Sequence, residues 1–265
     1  MSFQKLARSS MRVLSALTLS LAPINVSADI ASHCAQLRAP HFPERFSHMA
    51  MTSESCPGGE ACGDEIVAWD EEVEVVYAID ASSDSTLAGI RPQIDAVLAD
   101  MRELTDLDIT FDARETGSDF RGIGIIELSR DLARALDEGA APGLRPDGSL
   151  SLVDIHDRGG CIGTLYYSDA DAPVIVPELG VVFLNDQLTG EDRAQCLWEE
   201  MAVVFGLRND PPEQASLFDG ENFRDGEDGF GYSKETEAML AAIYEMARRE
   251  TGDIATLTKE LCNAE

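Results

Sequence analysis

Apolar residues recur along this chain at two periods. Val73, Val75, Val76 and Ile79, with Tyr77 and Ala78 between them, mark a strand over residues 73–79. Leu87, Ile90, Ile94, Val97, Leu98, Met101 and Leu104 then return every three or four residues, the spacing of one helix face. Pro92 within that run predicts a kink or a late start. Leu107, Ile109 and Phe111 alternate with polar residues as a half-buried strand does, and 123–128 reads as a further strand before a short helix over 130–136. A loop rich in Gly and Pro covers 139–148. Residues 150–155, 162–167 and 181–184 read as three more strands, the last leading into a helix over 189–206. Asp210-Pro211-Pro212 stops that segment, 218–231 reads as an acidic, glycine-rich loop, and 235–248 and 254–261 are closing helices. The pattern predicts an α+β fold, a mixed sheet with helices packed on it, over residues 65–265. Residues 29–64 carry His41, Pro43, Pro57, Gly58, Gly59 and three cysteines with little periodicity, and read as an irregular lead. No internal repeat is visible.

The first 28 residues read differently. Lys5, Arg8 and Arg12 form a basic start, 13–21 is a short apolar core, and Val26-Ser27-Ala28 supplies a small-residue cleavage site, so residues 1–28 are expected to be a secretory signal peptide. Ala31-Ser32-His33-Cys34 lacks the apolar residue of a lipid-attachment motif, and no later run is apolar for the roughly 20 residues that span a bilayer. The expected location is exported, in a bacterial periplasm or outside the cell. Six cysteines, all beyond residue 28, favour disulfides over metal thiolates in such a compartment. The expected pairs are Cys161–Cys196, Cys56–Cys62 and Cys34–Cys262. A formal net charge of −29 disfavours nucleic acid and anionic membranes as partners, and its spread along the chain fits a solubilising surface.

The chemistry concentrates in TGEDRAQCLWEEMAVVFGLRND, residues 189–210. Thr189 and Asp192 approximate a capping box, and Gly206 suits a left-handed C-terminal cap with Leu207 packing back. Ala194, Leu197, Met201, Val204 and Phe205 share one apolar stripe, whereas Cys196, Glu199, Glu200 and Val203 lie on the other face. A Cys161–Cys196 bridge would cover part of that second face and leave Glu199 and Glu200 bordering a cleft. The metzincin pattern H-E-x-x-H-x-x-G-x-x-H places Glu200 on the catalytic glutamate and Gly206 on the turn glycine. Glu199, Val203 and Asn209 then occupy the three histidine positions, and valine cannot bind a metal.

Cys196-Leu197-Trp198-Glu199-Glu200, Phe205-Gly206-Leu207, Asn209-Asp210 and Ser216-Leu217-Phe218-Asp219 resemble an uncharacterised bacterial exported family, the domain of unknown function 2927, grouped with zincin-like peptidases. The resemblance covers residues 65–248. It implies a zincin-like α/β sandwich, export, and at most a suspected hydrolase. In a working zincin two histidines one turn apart hold zinc and the glutamate activates its water. Here Glu200 matches that base, Glu199 is an oxygen donor, and Asn209 or Asp210 stands near the third position. Such a set predicts no resident cofactor, zinc being the one metal the pattern raises.

Among the remaining histidines, His33, His41 and His48 lie in the lead. His156, five residues before Cys161, would approach Glu200 if Cys161 pairs with Cys196. Residues 219–229 resemble a calcium loop in composition and fail its spacing, and Gly122-x-Gly124 lacks the rest of a dinucleotide fingerprint. The expectation is an exported zincin-like protein with a degenerate metal site, binding a protein, peptide or envelope component through the old cleft. The alternatives are a hydrolase with Glu200 as base and a noncanonical site, and a structural envelope protein. Val203 is the residue that separates them.

Overall fold

The computed structural model describes residues 32–51, 65–70, 72–78, 84–114, 120–140, 151–167, 174–209, 223–226 and 229–262. The expected signal peptide, the Cys56–Cys62 pair and Asp210 lie outside the described residues. Five strands form the main sheet: β2 (Glu72–Ala78), β3 (Asp108–Arg114), β4 (Gly122–Leu128), β5 (Ile162–Tyr166) and β7 (Leu179–Asn185). Their order is β3-β2-β4-β7-β5, parallel throughout except for β5, which runs antiparallel along the edge beside β7. Composition follows position. The internal strands β4 and β7 are near-continuous apolar runs because both their faces are covered, whereas edge strand β3 alternates buried and exposed. A small parallel pair, β1 (Ile66–Val67) with β6 (Val174–Ile175), lies apart from it.

The period-2 alternation of β7 divides the interior into two layers. Val182 and Leu184 join the larger core with α3 (Asp84–Thr105), α6 (Gly190–Val204) and α7 (Lys234–Arg248). Val181 and Phe183 face the other way, onto α4 (Arg130–Ala135) and α5 (Leu152–Asp157). Helix α3 buries Ile90, Ile94, Val97, Leu98 and Met101, the predicted stripe, and leaves Pro92 on its outer face. Mixed sheet and packed helices thus match the expected fold class.

Three segments differ from expectation. Within the expected strand over 150–155, the described residues 151–155 are not extended. Ser151 accepts from the Asp154 amide at 3.0 Å, Asp137 accepts from the Leu152 and Val153 amides at 3.1 Å each, and this capping holds helix α5. Within the expected irregular lead, α1 (Cys34–Leu37), α2 (Phe42–Phe46) and a wide turn, Ser47–Met51, are ordered and buried. Leu37, Phe42, Phe46, Met49 and Ala50 belong to the main core, and Arg45 ties α2 to Glu235 of α7 at 2.7 Å. The acidic loop holds a hairpin, β8 (Phe223–Gly226) with β9 (Gly229–Tyr232). Helix α8 (Ile254–Cys262) closes the chain, and the disulfide Cys34–Cys262 joins it to α1. Among the described residues no helix is long and apolar enough to cross a membrane.

Candidate functional site

Helix α6 is fixed at both ends by its own sequence. Glu191 and Asp192 place negative charge in the first turn, where the helix dipole favours it, although Thr189 makes no side-chain cap bond. At the other end Gly206 donates to Val203 O and Leu207 to Ala202 O, both at 3.0 Å, which completes a Schellman motif. Gly206 has φ +117°, and a Cβ there would sit 2.5 Å from Val67 O. A purely structural demand therefore accounts for this glycine. The predicted apolar stripe is buried, with Ala194, Leu197, Met201, Val204 and Phe205 all in the interior.

The second face of α6 is covered by edge strand β5. Cys196 is bonded to Cys161, as expected, so a covalent staple holds strand and helix together. The Glu200 carboxylate accepts the N–H of Gly163 on that strand. The approach is close enough to need glycine: a Cβ at 163 would lie 2.8 Å from the Glu200 carbonyl oxygen and 3.2 Å from the Val203 Cβ. Glu200 and Val203, the positions of base and second ligand, thus both pack on the strand.

The other template positions go elsewhere. Glu199 is half-buried and contributes its charge beside Tyr232, whose phenol is raised by burial first and then by Asp100 and Glu199. Tyr232 donates to Trp198 O at 2.7 Å and packs edge-on against the Trp198 ring. Asn209 bonds through its amide N–H to Met49 O at 3.2 Å, and its side chain meets His48 Nε2 at 3.3 Å. Next to it Arg208 is buried and donates to Ala50 O and Glu65 O, so the wide turn of the lead seats this corner. Burial lowers the Arg208 pKa, with Tyr167 and Glu65 opposing.

His156 does not join this group. It is buried in α5, with Nε2 3.0 Å from Asp186 and Nδ1 3.4 Å from Asp157, and its carbonyl accepts from Asn185. Because Leu152–Asp157 is helical, the residue is carried onto the opposite layer from α6. The residues that the metzincin pattern would use do not fit a zinc ion. The first ligand position, Glu199, lies beside Tyr232, the second is apolar, the third is an amide that meets His48, and the base position accepts a strand N–H. Among the described residues no three His, Cys, Asp or Glu side chains are grouped to hold a metal.

One cluster escaped sequence reasoning. Glu127 at the end of β4 accepts from Tyr77 Oη at 2.5 Å and pairs with Arg193 of α6, pinning the helix to the sheet. Burial lowers the Arg193 pKa, the neighbouring Tyr77 opposing, and burial likewise raises the Tyr77 phenol. Glu127 interrupting an apolar strand was the only available signal, because its partners depend on strand register.

No family model matches this chain, and no curated protein matches it.

Proposed function

We propose that the chain is an exported, zincin-like binding protein whose former metal helix serves as structure. The observation that carries this reading is the contact between α6 and β5. Glu200 spends its carboxylate on the Gly163 amide, and Val203 fills the space where a second ligand would project. A general base needs a proton to abstract within hydrogen-bond reach. Here one of the two oxygens, Oε2, accepts the Gly163 N–H and holds the carboxylate against the strand. Two disulfides, Cys34–Cys262 and Cys161–Cys196, support the exported location, since such bonds persist in oxidising compartments. An antiparallel edge strand beside the helix supports the zincin-like reading. The partner is a protein, peptide or envelope component, and the strongly acidic surface argues against nucleic acid.

Casein hydrolysis by the oxidised mature protein and by Glu200→Gln tests the proposal. No hydrolysis by either form is expected. Hydrolysis by wild type that disappears in Glu200→Gln, with the fold retained, would replace this reading by that of a glutamate-dependent hydrolase.

A further inference from the structure

Beyond the C-terminal end of α6 lies a cavity of about 530 Å3, within the roughly 300–1,000 Å3 range of small-molecule sites. Its walls are aromatic and apolar: Trp69, Leu107, Val174 and Tyr244 line it, with Ala68 and Ala247. Val176, at 42 % exposure the one large hydrophobic residue exposed among the described residues, also lines it. Two of these wall residues are anchored. Trp69 Nε1 donates to Val204 O at 2.9 Å, and Tyr244 packs against Phe205.

The rim is acidic. Asp70, Asp106 and Glu250 line it, and no ion pair holds any of the three within the described residues. Arg248 also lines the cavity, but its guanidinium is engaged by Glu245 at 2.9 Å and by Thr105 O at 3.0 Å. Helices α3 and α7 both end here, at Thr105 and Arg248, so two negative dipole ends add to the carboxylates.

Two backbone observations single out the same rim. Among described non-glycine residues, only Asp106 (φ +56°) and Glu250 (φ +51°) adopt positive φ. Each follows a helix end. Glu250 occupies the Schellman position that glycine ordinarily takes, donating to Ala247 O while Thr251 donates to Met246 O, both at 3.1 Å. Glycine would be unstrained at both places, yet each carries a carboxylate. The Tyr244 hydroxyl is buried behind the same wall, beside the Trp69 backbone, so the ring and not the hydroxyl faces the cavity lining.

We propose that this cavity binds a small organic cation, an ammonium or quaternary ammonium with an apolar body. The aromatic walls take the body and the face of the charge. The three carboxylates and two helix ends supply the countercharge. Anionic and neutral ligands of similar shape lack this complementarity.

The test is calorimetric titration of the full mature protein with choline, benzyltrimethylammonium and the neutral choline isostere 3,3-dimethylbutan-1-ol. About 0.15 M salt screens diffuse attraction to the acidic surface. Both cations are expected to bind, with the neutral isostere at least tenfold weaker. The double variant Asp106→Gly/Glu250→Gly should melt higher than wild type, because strain is removed, and should bind each cation at least tenfold more weakly. Equal binding of choline and its neutral isostere would overturn the assignment, as would unchanged affinity in the folded double variant. Capture of a lysine-bearing peptide with no response to either free cation would also overturn it, in favour of a protein partner.

Discussion

Glu200→Ala offers the sharpest view of what this helix carboxylate does. The substitution removes a carboxylate that accepts one backbone N–H from Gly163, leaving helix and strand joined by the Cys161–Cys196 bridge. A hydrogen bond to a charged group contributes about 1.5–3 kcal/mol when buried. Glu200 is only half-buried and the freed amide lies on an edge strand that water can reach, so the lower part of that range applies. The expected loss is about 1–2 kcal/mol, a fall in melting temperature of roughly 2–8 °C for a domain of this size. Glu200→Gln keeps an acceptor and loses the charge assistance. It should cost roughly half as much, since charge-assisted bonds are about twice as strong as neutral ones. Urea unfolding of the oxidised protein, read by tryptophan fluorescence, separates the three forms. If Ala melts with wild type, or if Gln and Ala are equally destabilised, the carboxylate is not acting as a latch and the reasoning fails.

Other positions give independent checks. Gly163→Ala places a methyl 2.8 Å from a carbonyl oxygen and should destabilise by about 1–3 kcal/mol in the same urea assay. Arg193→Met leaves Glu127 without its ion partner and should cost about 2–4 kcal/mol, less than a fully buried pair because both side chains keep some exposure. Double substitution of Cys161 and Cys196 by Ser, which opens a closure across 35 residues, should cost roughly 3–4 kcal/mol of unfolding stability by loss of the chain-entropy restriction on the unfolded state. The Asp253 pKa is lowered by bonds from the Thr256 hydroxyl and the Ala255 amide at the start of α8. A depressed carboxylate stabilises above its unfolded pKa and loses that contribution as pH falls through the folded value. Protection of the amides at 255–257, measured against the intrinsic exchange rate at each pH, should therefore fall below about pH 4, and Asp253→Ala should show the reduced protection already at neutral pH.

The parts of the fold written in local period were legible. The α3 stripe and the apolar runs of β4 and β7 could be read directly, because burial on one face or two leaves its signature in spacing alone. Residues 42–50 were missed although Phe42, Phe46, Met49 and Ala50 stand at helical spacing, since Pro43 and the surrounding histidines obscured it. Residues 150–155 looked like a strand by apolar content. The S-x-x-D signal of Ser151 and Asp154 was the better guide, and the Asp137 cap from fourteen residues before Ser151 was not visible. The α6 face was read correctly as covered, by a disulfide to Cys161. What covers it at Glu200 was not readable, because the Gly163 contact depends on where β5 falls along the helix. Tertiary placement likewise separates Glu199 from Glu200 and sends His156 to the far layer.

Metal content decides most directly whether α6 is a structural helix or a working metal site. Mass spectrometry on the oxidised mature protein, purified without chelator from its native compartment and dialysed, is the measurement. Zinc well below one equivalent is the result expected from a helix whose carboxylate, valine and amide are committed to β5 and the lead. One equivalent of zinc surviving dialysis, and lost in Glu199→Ala or Asn209→Ala, would contradict it.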